Sequence, residues 1–454
     1  MLSFKGRVKV TVKFIENNFL VIFIGVGLGI GAFLLQNQVV YLAKRIFPKN
    51  TNVGIIGKYT IDTLPLEISG LISYGLTRLS NNGTPLPAAA LSWDVSDQGK
   101  KYTFHLDENA TWHDSSRLKS KEVDYQISGA KMEVINSTVI TFQTEDPFSP
   151  LPSLLSKPLY KRGQIGLGEY KIKRLRLNAN YLSLLTLVKK TPEEKSSLTF
   201  RFYPNQDTLT NALKLGEADC VNGLASIDEF ETWPGLTITP KQDTKKYAAL
   251  FFNTQKTPFS DKRFRQALSY AVQKPEKQIR ALTPISPLSW AYNKNVKTYP
   301  YDPEHAKTIL KDAGDELTTG ITINIITTKE LVPWAERIKE DWQNVLGINA
   351  EVSVSPVINT NQDFDTILAY GQIPADPDQY IFWHSDQPGN ITKYSNARID
   401  KLLEDGRGVF SKEERKRIYQ DFQRYLLEDA PAIFLFFPES YQVCRGEASL
   451  DLNQ

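Results

Sequence analysis

Histidines, carboxylates and cysteines are where chemistry would begin in this chain, and few of them fall at reactive spacings. The 454 residues contain four histidines: His105, His113, His305 and His384. None forms an H-x-x-x-H or H-E-x-x-H pair, the spacing that puts two ligands on one helical face, so no dedicated zinc site is expected. His113-Asp114 sets an imidazole beside a carboxylate, a pairing that could serve acid–base or metal chemistry. On a loop, the same pair more simply makes a turn with a satisfied side chain. Asp363, Asp365 and Asp376 lie close in sequence and could attract a cation or an amine. The run Asp376-Pro377-Asp378-Gln379 also reads as a capping box, with Asp376 as the cap, Pro377 in the first position and Gln379 reaching back. Cys220 and Cys444 could pair only if the end of the chain returns to the region of Cys220. Gly166-Leu167-Gly168 is a lone G-x-G with no following G-K-[ST], so it is read as a tight turn and not as a phosphate loop. A cell-surface hydrolase working through Asp/Glu pairs is conceivable from the abundant carboxylates alone, but no G-x-S-x-G and no cysteine–histidine neighbourhood supports it.

The elements that would position any site are organised around Tyr247–Lys274. Tyr247–Asn253 is an apolar, aromatic run of strand length without glycine or proline. Ser260 and Asp261 then offer a helix cap, Phe264, Ala267, Leu268 and Ala271 recur at helical spacing, and Lys262, Arg263 and Arg265 form a basic outer face. Upstream, Tyr102, Phe104 and Leu106 alternate as one face of a strand, 131–145 reads as a hairpin, Leu198–Tyr203 as a strand, and Thr208–Leu215 as a helix stopped by Gly216. Downstream, Asp302 caps a helix with Pro303 in its first turn and Gly314 at its end. Strands over Ile321–Ile326, Ile348–Val354 and Phe364–Tyr370, with a helix over Pro333–Leu346, imply a parallel crossover. Ser411 with Glu414 opens a long helix to Leu427, and a strand follows over Pro431–Phe436.

Composition sets the outer bounds. The length suits two lobes, each with its own core. Hydrophobic residues make up 41% and charged residues 23%, and the net charge of +3 implies neither a nucleic-acid polycation nor an acidic tail. Asn17–Ala43 carries no charge, with its most apolar part at Phe19–Leu35, long enough to cross a bilayer with some tilt. Lys5, Arg7, Lys9 and Lys13 precede it, and Lys44, Arg45 and Lys49 follow. The expectation is a single membrane anchor or uncleaved signal at 17–43 behind a cytoplasmic 1–16. A cleaved signal with a small-residue site near Gly29–Ala32 is the alternative.

Several ordered motifs converge on one family. Leu250-Phe251-Phe252-Asn253-Thr254 followed by Pro258–Val272 resembles a segment of the family 5 extracellular solute-binding proteins, the receptors of peptide- and nickel-type ABC importers. Ser73-Tyr74-Gly75-Leu76 resembles that family's Y-E-G-L, Pro87–Trp93 its P-x-L-A-x-S-W, and Gly166–Tyr170 its G-T-G-P-Y. Gly216–Asp219 is similar to its G-E-x-D, and Tyr301–Gly314 to its Y-D-P-E-x-A-K-x-I-L-K-D-A-G. Tyr102–Leu106 with Trp112-His113-Asp114 matches another motif, except that Ser115 stands where the family usually has glycine.

The resemblance implies an α/β, two-lobed periplasmic-binding-protein-like fold (type II, large peptide-binding class) with an N-terminal transmembrane helix. Lobe I would span 50–247, lobe II 248–432, and 433–454 would return to lobe I, bringing Cys444 toward Cys220. It also implies a membrane tether in place of the lipid-anchor cysteine, since no cysteine precedes Cys220. The soluble part would then sit on the extracytoplasmic side of the plasma membrane. The implied function is capture of a peptide or similar small solute and delivery to an ABC permease with its ATPase subunits, with no catalytic residue, metal, cofactor or nucleic acid involved. A sensor or peptide chaperone on the same fold is the other binding-protein reading. Ala369, Tyr370, Gly371, Gln372 and Ile373 would line the cleft from lobe II, and Ser73, Tyr74, Gly75 and Leu76 from lobe I. Ile373 occupies the position where peptide-binding members hold the ligand's α-amino group with an aspartate.

Overall fold

The computed structural model describes residues 18–20, 24–25, 50–162, 164–190, 196–276, 278–314 and 320–446. The expected anchor at 17–43 lies almost wholly outside them. Among the described residues no helix is long and apolar enough to cross a membrane.

The first half runs β1 (Asn50–Ile56), α1 (Leu66–Ile72), a short β2–β3 hairpin (Thr77–Leu79, Pro85–Pro87), then β4 (Ala90–Ser96), β5 (Lys101–Leu106), β6 (Ala130–Val134) and β7 (Val139–Thr144). It continues through α2 (Leu151–Leu154), β8 (Tyr170–Asn178), β9 (Tyr181–Lys189), β10 (Ser197–Tyr203), α3 (Gln206–Lys214), β11 (Cys220–Leu224) and β12 (Leu236–Gln242). The second half holds β13 (Lys246–Phe252), α4 (Lys262–Ala271), α5 (Pro303–Ala313), β14 (Thr322–Thr327), α6 (Val332–Leu346), β15 (Asn349–Val354) and β16 (Thr366–Gln372). It ends with α7 (Tyr380–Trp383), α8 (Ala397–Gly408), α9 (Lys412–Asp429), β17 (Ala432–Phe436) and β18 (Glu439–Arg445).

Two large sheets result. Lobe I is built on β12-β18-β11-β1-β10-β9-β8, and lobe II on β15-β14-β16-β13-β17. A four-stranded antiparallel sheet, β4-β5-β7-β6, flanks the first. The alternation read at Tyr102, Phe104 and Leu106 supplies its core, with Trp112, Ile140 and Phe142 packed behind. In lobe II the apolar β13 is buried from Tyr247 to Phe252 because it runs between β16 and β17 with side chains entering cores on both faces. The chain crosses between the large sheets twice, at 243–245 and at 437–438. β17 still pairs with β13, and β18 is the first strand back in lobe I. The return therefore falls a few residues later than 432/433. It sets Cys444 directly opposite Cys220 on β11, and the two form a disulfide.

The helix caps follow the sequence. The Asp261 carboxylate accepts the Arg263 N–H at 2.7 Å, the Asp302 carboxylate the His305 N–H at 3.0 Å, and the Ser411 hydroxyl the Glu414 N–H at 3.4 Å. One expectation fails. Arg265 is not on an outer basic face: it is 4% exposed and turned inward. Its guanidinium donates to Phe259 O at 2.7 Å and Ala430 O at 3.1 Å, where the carbonyls at the end of α9 have no helical partner and carry the negative end of the helix dipole.

Candidate ligand cleft

The lobe II wall is the second half of β16. On one side β13 pairs with it along its whole length, Thr366–Gln372. On the other side β14 pairs only with Thr366–Leu368. Ala369, Tyr370, Gly371 and Gln372 therefore present a backbone edge with no strand partner among the described residues. A Cβ at Gly371 would run into the ring of Tyr247, which is itself buried, so glycine is required where the two strands press together. Tyr370 is half-buried, with Lys246 Nζ 5.0 Å from its ring centre. Burial first, then the charges of Glu330 and Asp243, push its hydroxyl pKa up to about 12. Gln372 is exposed. Ile373 donates its N–H to Lys245 O at 2.8 Å and buries its side chain in the cluster that contains Tyr247, Phe251 and Trp383.

Ser73–Leu76, the expected opposite wall, follows α1 in lobe I and is heavily bonded within that lobe. The buried Ser73 hydroxyl donates to Leu159 O and accepts the Leu167 N–H at 3.1 Å. Tyr74 O accepts from Leu159 N at 3.1 Å, Gly75 O from Ala89 N at 3.1 Å, and Leu76 O from Ala90 N at 2.9 Å. Leu76 N donates to the Tyr125 hydroxyl at 3.2 Å. A Cβ at Gly75 would collide with the Leu155 carbonyl, so this glycine serves packing of the 155–157 segment. Of the four, Tyr74 alone keeps a partly exposed side chain.

The loop after β16 joins the lobes. Asp376 and Arg415 form an ion pair at 2.7 Å with both side chains under a tenth exposed. Arg415 Nη1 also donates to the second oxygen of Asp376 at 3.3 Å, and its Nε to Gly406 O at 2.8 Å. Burial alone would lower the Arg415 pKa; the Asp376 charge, together with Tyr419 and the hydrogen bonds to both, outweighs it and leaves the pKa raised. From lobe I, the Ser153 hydroxyl donates to the same carboxylate at 3.2 Å. Further bonds between the lobes run from Ser149 N to Arg407 O at 2.8 Å, from Trp290 N to Asn82 O at 3.3 Å and from Lys412 Nζ to the Thr84 hydroxyl at 2.8 Å.

This arrangement corrects two readings. Asp376 does not cap a helix: it accepts the Asp378 N–H at 3.1 Å in a local turn, α7 begins only at Tyr380, and neither amide atom of the Gln379 side chain finds a partner among the described residues. Nor do the three carboxylates form one cation site. Lys256 holds Asp363 at 2.9 Å and Asp365 at 2.7 Å, whereas Arg415 holds Asp376. The sequence signal that could have found Arg415 is weak, because it is one of several basic residues at the start of α9.

His113 belongs to a turn. Its Nδ1 accepts the Gly166 N–H at 3.2 Å and its Nε2 lies 2.9 Å from Gly168 O. Asp114 accepts from Ser116 and from Lys161. Ser115 sits between them at φ 66°, the left-handed conformation that glycine adopts more readily. Among the described residues no three histidine, cysteine, aspartate or glutamate side chains are grouped to hold a metal ion.

Residues 84–392 match the family "Bacterial extracellular solute-binding proteins, family 5 Middle", more than half of the chain. The chain belongs to this family. Among its relatives, Heme-binding protein A of Haemophilus influenzae is 26% identical over 433 residues, covering 76% of this chain and 78% of the relative. The Dipeptide-binding protein of Escherichia coli K12 is 24% identical, covering 80% and 82%. Among solved structures, NikZ from Campylobacter jejuni, in complex with Ni(L-His), superposes with a TM-score of 0.72 at 22% identity, covering 88% of this chain and 94% of that one. The fold is thus the α/β two-lobed periplasmic-binding-protein fold, with the chain crossing twice between the two large sheets.

Proposed function

We propose that this family 5 protein is the extracytoplasmic receptor of an ABC importer. It captures a peptide or a peptide-like small solute between its lobes and passes it to a separate permease whose ATPase subunits supply the energy. The one-sided pairing of Ala369–Gln372 carries this reading. An extended ligand backbone laid along that edge gains main-chain hydrogen bonds by strand addition, and pockets beside it select side chains. Tyr74 contributes from the opposite lobe, while Ser73, Gly75 and Leu76 hold the wall in shape. Contact with both lobes is what lets a ligand favour the closed state by hinge motion at the two crossings. A tether at 17–43 would keep the receptor beside its permease.

The charges in the cleft narrow the ligand. Ile373 sits in an apolar cluster and Asp376 is occupied by Arg415. A free ammonium seated against the Ile373 side chain would be buried in an apolar cluster, at a cost of several kcal/mol. The Ile373 position therefore suits a ligand whose amino end is blocked or lies farther out, toward Asp243 and Glu330. Native mass spectrometry of protein purified without denaturation tests the proposal. A retained population of short peptides or peptide-like masses is expected. A single unrelated mass would overturn the ligand class, and an empty protein without a thermal shift against blocked and free peptides would shift the reading to a sensor or chaperone.

A further inference from the structure

We propose that lobe II carries a buried halide site, separate from the ligand cleft. It lies between the end of α4 and a strand-like segment that extends the sheet beyond β17. That segment is fixed by Ala281 N donating to Leu435 O at 3.3 Å and Phe437 N donating to Ile279 O at 2.9 Å. Ser269, Lys274, Arg280, Lys297, Tyr299 and Phe434 line a small cavity there, with interior room for about one water-sized particle.

Three cations share this space. Lys274 is 8% exposed and folds back under α4, donating to Ser269 O and to Val272 O at 2.8 Å. Those bonds use two of its three ammonium protons. Arg280 Nη2 donates to Thr298 O at 2.9 Å, but its Nε is buried without a partner among the described residues. Lys297 Nζ stands over the rings of Tyr299, at 4.9 Å, and Tyr270, at 5.6 Å. Among the described residues no carboxylate lines the cavity. Asp341, whose charge reaches Lys274, is engaged instead by the Gln273 N–H at 2.7 Å, and of the three cations Glu428 acts on Lys297. The cations feel the deficit. Burial, then the Arg280 charge, hold the Lys274 pKa well below its ordinary value, and burial pushes Arg280 down to about 10.

A helix C-terminus alone accounts for Lys274, whose ammonium caps the carbonyls of α4. It does not account for Arg280 and Lys297 gathered at the same cavity, nor for the unpartnered Arg280 Nε. One small anion would accept the spare protons of Lys274 and Arg280 and relieve the repulsion between them. The small cavity excludes polyatomic anions, and a halide such as chloride would enter with a slight outward shift of the lining side chains.

Bromide is the probe. Crystals of the full-length chain soaked in sodium bromide are expected to show an anomalous peak in contact with Lys274 Nζ and Arg280 Nε. Bromide peaks elsewhere with only a water at this position would overturn the proposal. In solution, the full-length chain is compared in sodium chloride and sodium gluconate at equal ionic strength. Chloride is expected to raise Tm by about 2–4 °C, and Arg280→Gln to abolish the difference. Equal melting in the two salts, or a difference that survives in Arg280→Gln, would overturn it. If that variant fails to fold, the bromide map of the unaltered chain still decides.

Discussion

Asp376→Asn removes one charge from the most enclosed ion pair among the described residues while keeping the shape of the side chain. The Arg415 guanidinium would stay in place, 8% exposed, with its partner neutral. Removing one member of a buried pair costs about 3–5 kcal/mol, most of it the penalty of leaving the other charge buried. Lobe II falls in the size range where 1 kcal/mol moves Tm by about 2–4 °C, so its transition should drop by roughly 6–20 °C. Arg415→Met alone should cost a similar amount, because Asp376 would keep only the Ser153 hydroxyl and the Asp378 N–H as donors. The double variant Asp376→Asn/Arg415→Met should cost less than the sum of the two single changes, since it leaves no unpaired buried charge. Urea unfolding followed by circular dichroism, with all four proteins compared, gives the cycle. A cost below about 1 kcal/mol for Asp376→Asn, or strict additivity in the double variant, would refute the reasoning, because the pair would then behave as an exposed one.

Other consequences are local. Ser115→Gly should raise stability by up to about 1 kcal/mol in thermal melts, because it relieves the left-handed strain at φ 66° and gives part of the gain back as chain entropy. Reduction of Cys220–Cys444, or replacement of both by alanine, should lower stability by about 2–4 kcal/mol and loosen β18, read as faster hydrogen exchange over Glu439–Arg445. Burial would raise the Asp429 pKa, but hydrogen bonds from Lys262, Tyr394 and Asn396 outweigh it and hold the pKa below its ordinary value. Its contribution to stability is therefore full above about pH 4 and is lost as pH falls through the lowered pKa. Asp429→Asn should flatten that acid limb in a pH series of urea midpoints.

The parts of the fold legible in the sequence were those set by local chemistry. The apolar strand Tyr247–Phe252, the caps at Asp261, Asp302 and Ser411, and the alternation in β5 all rest on neighbours a few residues away. Pairings across the chain were not legible in this way. Arg265 looked exposed by helical spacing, yet its partners, Asp429 and Ala430, lie more than a hundred and sixty residues on. Asp376 carried a good local capping signal, and a tertiary charge in α9 overrode it. At the cleft, the motif resemblance pointed to Ser73–Leu76 and Ala369–Ile373. The structure assigns different work to the two stretches: Ser73, Gly75 and Leu76 bond within lobe I, and Ala369–Gln372 leaves a strand edge unpaired among the described residues. The Cys220–Cys444 pairing followed only once the family implied a returning C-terminal strand, because nothing near either cysteine names its partner.

Hydrogen exchange on β16, with and without the co-purified ligand, tests the central claim most directly. Ligand should slow exchange at amides within Ala369–Gln372 and in the peptide containing Tyr74, with little change at Thr366–Leu368, where both edges are already paired. Protection confined to other surfaces, with Ala369–Gln372 exchanging at the unliganded rate, would contradict a ligand backbone added to this edge.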